Sequence, residues 1–170
     1  MKTPVKLLGH PIHPMLIVFP LGLLATSLIF DILYLVLGDV TLAAVSYWLI
    51  VAGIIGGLLA AIFGLLDWTG IPANTRAKAL GLWHGIGNFI VVVLFILSWL
   101  VRRDVPNYEP NTLALGLSVA AVLLATVTGW LGGELVYRLG MAVDQGANPN
   151  APSSLSDKPA RSEGERASTD

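Results

Sequence analysis

Any chemistry in this chain has to be built from imidazoles and carboxylates, because it holds three histidines and no cysteine. His10 and His13 stand three residues apart in Gly9-His10-Pro11-Ile12-His13-Pro14, and His84 follows Trp83 much further along. Imidazole is an axial ligand of haem iron and, together with carboxylate, suits divalent metals. Asp67 and Glu134 are the carboxylates that could join such a site, with Asn88 one helical turn after His84. Asp31 stands apart, in the middle of an apolar run. The missing cysteine excludes disulfides, thiolate metal ligands, cysteine-ligated iron–sulfur clusters and a cysteine nucleophile. A net charge of −1 leaves no basic surface for a phosphate backbone, which excludes nucleic acid as a partner.

The elements that must position these residues are membrane helices. The 170 residues are 55% hydrophobic and 12% charged, against roughly 45–50% and about 25% in soluble domains. Crossing a hydrocarbon core of about 30 Å takes about 20 apolar residues, and four stretches are that long: 14–37, 43–66, 79–101 and 112–133. The first runs too far for the apolar core of a cleaved signal peptide, so it reads as a retained helix. Pro14 suits a first helical turn, whereas Pro20 deletes an internal hydrogen bond and favours a kink. Gly38-Asp39 ends the first span, Gly70 and Pro72 follow the second, and Asn74 or Thr75 can cap the third. Gly53, Gly56, Gly57, Ala60, Ala61 and Gly64 give the second helix a small-residue face that lets backbones approach closely. The expected fold is all-α, an integral membrane four-helix bundle of two hairpins over 1–143. From Asp144 the composition turns polar, and 144–170 reads as a disordered tail.

Leu58-Leu59-Ala60-Ala61-Ile62-Phe63-Gly64-Leu65-Leu66 matches Leu123-Leu124-Ala125-Thr126-Val127-Thr128-Gly129-Trp130-Leu131 at five of nine positions, so the second and fourth helices read as repeats. Setting His13 against His84 then puts Ser27 on Ser98 and Asp31 on Arg102, and relates the two hairpins by an axis along the membrane normal. Asp31 lies about 25 Å beyond Pro14, toward the far end of its span, and is expected to form an ion pair with Arg102. The side holding both termini and the 67–78 loop carries Lys2, Lys6, Arg76, Lys78 and Arg138 close to the helices, and the other side only Arg102 and Arg103. Five charges against two place both termini of this multi-pass chain in the cytoplasm. Alternating helices bring His10, His13, Asp67, Trp68, Trp83, His84, Asn88, Glu134 and Arg138 to that one end. Ionisable groups at membrane depth are costly and raise a functional reading. Structural roles are open to them as well: Trp68 and Trp83 suit interfacial anchoring, Glu134 and Arg138 a local i,i+4 ion pair, and His13 and His84 a polar cluster that ties helix ends.

His10-Pro11-Ile12-His13-Pro14-Met15-Leu16, Gly64-Leu65-Leu66-Asp67-Trp68, Trp83-His84 and the run from Gly129 to Arg138 together resemble the bacterial membrane family catalogued as domain of unknown function 2231. The resemblance extends from about Leu7 to Val143. It implies a four-helix inner-membrane protein of a family without an established activity, some of whose relatives are linked to Rieske-type iron–sulfur domains. With no cysteine here, a Rieske-type or other respiratory redox protein would be a separate partner. Three expectations follow. In the first, b-type haem or a quinone binds at the cytoplasmic end through His13 and His84, with His10 as substitute for His13, Trp83 and Asn88 beside the cofactor, and Gly85 and Gly87 giving room for a macrocycle. In the second, a divalent metal is held by His10, His13 and His84 with Asp67 or Glu134. In the third, the chain is a structural or assembly factor that works through its small-residue faces, on another protein or on a second copy of itself. No reaction is defined by these residues.

Overall fold

In the computed structural model, which describes residues 5–156 and 158–160, a two-rung antiparallel ribbon leads into the first helix. The ribbon pairs β1 (Lys6–Leu7) with β2 (His10–Pro11). Five helices follow: α1 (Ile12–Leu16), α2 (Val18–Leu37), α3 (Val40–Thr69), α4 (Arg76–Arg102) and α5 (Thr112–Gly133), the last extended by a π-helical turn over Glu134–Arg138. Together they make four stretches long and apolar enough to cross a membrane, Ile12–Leu37, Val40–Thr69, Arg76–Arg102 and Pro106–Arg138. Lys2, counted among the cytoplasmic charges, and the end of the expected disordered tail lie outside the described residues. Residues 144–156 form turns without a helix.

Helix ends lie where side chains can satisfy the free backbone groups of a terminus. Asp39 accepts from the Thr41 amide, Thr75 from Lys78 and Asn111 from Ala114, so α3 and α4 begin three residues before their apolar cores suggest. Asn74, the other expected cap of α4, instead turns the chain with φ +61°. Pro20 has no N–H to offer the Leu16 carbonyl, and the first span is broken at Ile17 into α1 and α2.

Each hairpin, α2 with α3 and α4 with α5, packs along its length, and the hairpins meet through α3 with α4 and α2 with α5. Inside each hairpin the helices approach most closely at a glycine. A Cβ on Gly53 would come within 2.5 Å of Leu24 Cδ2, and one on Gly87 would overlap Thr128 Cγ2. The centre is apolar, built from Leu24, Ile50, Ile54, Val91, Phe95 and Ala121.

A polar layer lies on each side of this core. Toward the 103–111 loop, Arg102 forks onto Asp31, with Nη1 donating to Oδ1 at 2.8 Å and Nη2 to Oδ2 at 3.0 Å, both residues 0% exposed. Arg102 also donates to Ser46 and Ser98, and Ser98 reaches the Ala114 carbonyl and Ser118. The network therefore ties all four spans together at one depth. Above it the loop is held by Tyr34 donating to Glu109 at 2.8 Å and by Tyr108 stacked 4.0 Å from Tyr47. The second polar layer, at the opposite end, contains the histidines.

Candidate functional site

His13 reaches its place on α1 after the ribbon has turned at Gly9, whose φ of +84° is open to glycine at little cost. Its Nδ1 lies 2.9 Å from the Ala60 carbonyl of α3, and its ring packs on Gly64, where a Cβ would stand 2.9 Å from Cε1. His84, on the third turn of α4, repeats the arrangement with α5: Nδ1 is 2.8 Å from the Thr128 carbonyl, and a Cβ on Gly132 would stand 3.1 Å from Cε1. A carbonyl oxygen only accepts, so Nδ1 carries the hydrogen in both rings, and in the neutral form of an imidazole held this way the lone pair is on Nε2. Each histidine thus uses a carbonyl at position i and a glycine at i+4 of its hairpin partner. This sets Ala60 against Thr128 and Gly64 against Gly132. The sequence match had set Gly64 against Gly129, three residues away, because its leucines and alanines repeat without regard to which face they occupy.

The two rings lie edge to face across the seam between the hairpins, with centroids 6.4 Å apart and planes at 88°. Asn88 donates through Nδ2 to the His84 carbonyl at 2.8 Å and accepts at Oδ1 from the Thr128 hydroxyl at 3.1 Å. The same Nδ2 lies 3.2 Å from Nε2 and 3.4 Å from Nδ1 of His84. Those two nitrogens point away from each other in the ring plane, so an amide near both rests over the ring and occupies neither lone pair. Thr128 therefore orients His84 with its carbonyl and Asn88 with its hydroxyl. The sequence reading missed it, since a backbone acceptor has no signature and a threonine in an apolar helix more often bonds its own preceding turn, as Thr128 also does with Ala125.

Several expected members of the site are elsewhere. Trp83 is 63% exposed and faces away from the rings, because adjacent helical residues point about 100° apart. His10 is exposed on the ribbon, with Nε2 3.1 Å from Ser154 Oγ. Glu134 bonds Arg76 across the helices at 2.8 Å, and the local pair with Arg138 is not formed, because antiparallel packing brings the first residue of α4 to the end of α5. Gly85 has no neighbour within 4 Å and Gly87 is filled by Thr128, so neither opens a space for a macrocycle inside the second hairpin. Asp67 stands three residues beyond Gly64, the glycine on which the His13 ring packs. The five expected metal donors do not converge: among the described residues no group of three or more His, Cys, Asp or Glu is placed to hold a metal. Trp68 is bound locally, donating to the Lys78 carbonyl while Lys78 Nζ donates to the Trp68 carbonyl at 2.8 Å and lies 3.7 Å from the ring centroid.

A family of predicted membrane proteins, DUF2231, matches residues 9–145. The chain belongs to that family. The match takes in both histidine seats, the Asp31–Arg102 layer and all four apolar stretches, and stops just past the point where Asp144 pairs with Lys6. No curated protein and no solved structure matches the chain. In this DUF2231 protein the two seats lie within the matched region, whereas Ser154, which contacts His10, lies beyond it.

Proposed function

We propose that this DUF2231 protein is a redox-associated membrane protein that binds b-type haem between His13 and His84. The observation that carries this reading is the pair of seats. Each Nδ1 is committed to a backbone carbonyl, each Nε2 is free to ligate, and the centroids are 6.4 Å apart. Two imidazoles that share one metal at about 2.0–2.1 Å have centroids about 6 Å apart. A zinc site would need three or four protein donors, and only two converge here; haem iron needs two, because the porphyrin supplies the rest. The macrocycle then belongs in the seam between the hairpins, where the two rings lie. Bound there, the group would supply a one-electron ferric–ferrous couple. The Ala60 and Thr128 carbonyls would hold the rings in orientation and raise their basicity.

The test is optical. Protein expressed with haem supplied and purified in mild detergent is expected to show a Soret band, and His13→Ala and His84→Ala should each remove or shift it while His10→Ala leaves it in place. Size-exclusion profiles of every variant, with His13→Gln and His84→Gln as milder changes, separate loss of ligation from loss of fold. Protein without a Soret band, or a band indifferent to both His13 and His84, overturns the reading.

A further inference from the structure

His13 is carried on a short unit at the entry to the bundle, which meets α3 through the Ala60 carbonyl and Gly64. α1 has five residues and is parted from α2 at Ile17, where Pro20 supplies no hydrogen bond. Before α1 comes a ribbon of two residues per strand, and a ribbon that small does not hold its shape in water unaided. Something outside the ribbon must order it. The segment after α5 does so at two points. Gly140 and Ala142, both with φ +63°, turn the chain back over the end of the bundle. Asp144 then meets Lys6 of β1 at 3.0 Å, and this cation holds its carboxyl below the usual carboxylate range. Ten residues later Ser154 closes over the ribbon's turn. Its Oγ donates to the Leu8 carbonyl at 3.1 Å and lies 3.1 Å from His10 Nε2, and its Cβ occupies the notch that a side chain on Gly9 would fill, 2.8 Å from that position.

We propose that Asp144–Ser154 is a strap that clamps the hinged ribbon–α1 unit and so regulates how firmly His13 is held in the seam. Release of the strap frees the ribbon, and with it the five-residue helix that presents the imidazole. α3 and α4 keep their places, since their packing does not involve the strap. The clamp itself is independent of any cofactor, but its effect on haem retention rests on the function proposed above.

Hydrogen exchange measured by mass spectrometry on the detergent-purified full chain tests the clamp. Against wild type, Ser154→Ala should speed exchange of the ribbon amides about five- to tenfold, the equivalent of one lost hydrogen bond. A chain ending at Val143 should speed it further, while the amides around Ile50 and Phe95 are unchanged. Ribbon exchange that is unaltered in both variants overturns the strap. The rate at which haem passes to an added scavenger protein is the second readout and should rise in the same order. Faster ribbon exchange with an unchanged haem rate overturns the regulation of His13. Absence of haem from all of the proteins overturns the function proposed above, and the exchange data then decide the clamp alone.

Discussion

A histidine can ligate only through a nitrogen that carries no proton, and here two backbone carbonyls, those of Ala60 and Thr128, decide which nitrogen that is. At the other polar layer Arg102 and Asp31 form a bidentate ion pair with no exposure to solvent. Taking either ion out of water unpaired is expensive, and removing one partner of a buried pair typically costs about 3–5 kcal/mol. Asp31→Ala and Arg102→Ala are therefore each expected to lower the melting temperature in detergent, and the double substitution should lose less than the sum of the two. Additive losses in thermal melts of the four proteins would mean that the guanidinium and carboxylate do not act as a pair. At this scale the identity of the chemical groups was legible in the sequence, and so was the common depth of Asp31 and Arg102, since helical rise is fixed. The acceptors were not. Ala60 and Thr128 act through main-chain oxygen that every residue has, and the partner of Glu134 is a cation 58 residues away that only antiparallel packing brings near.

At the scale of the element, small residues govern how closely the helices sit, and their position around the helix matters more than their number. Gly87 faces Thr128, so Gly87→Val must push α4 from α5 and is expected to destabilise by about 1–3 kcal/mol, the usual cost of overpacking. Gly85, two residues earlier, has open space beside it, and Gly85→Ala should leave stability unchanged or raise it by up to about 1 kcal/mol through helix propensity. Paired thermal melts check this, and equal losses at both positions would contradict the packing described. The number, order and approximate limits of the helices were legible because apolar length and breakers determine them. The division of the first span at Ile17 was visible only as a kink at Pro20. The sequence carried no mark of the three-residue offset between the leucine–alanine match and the register of the two seats, since each seat is a backbone carbonyl and a glycine four residues on.

At the scale of the molecule, the bundle is a central apolar plug with a polar layer at either end, and the two layers differ in kind: one locks the four spans and the other sets two imidazoles 6.4 Å apart. The expected orientation rests on charge. Arg102 is wholly buried against Asp31, so of the two arginines counted on the loop side only Arg103 is presented to the surface, which sharpens the asymmetry. A reporter fused after Arg138 should behave as cytoplasmic and one inserted at Asn107 as periplasmic; the reverse pattern would invert the protein and put the histidines at the outer face. Convergence of His13 and His84 at one end does not depend on that outcome, because four alternating spans bring the start of the first and third to the same side. The central claim is that these two side chains hold one iron together. Electron paramagnetic resonance of the oxidised, haem-loaded protein tests it most directly. The wild type should give a low-spin ferric signal, the mark of two imidazole ligands, and His13→Ala and His84→Ala should each convert it to high spin. A low-spin signal that survives either substitution, or a high-spin wild type, would contradict it.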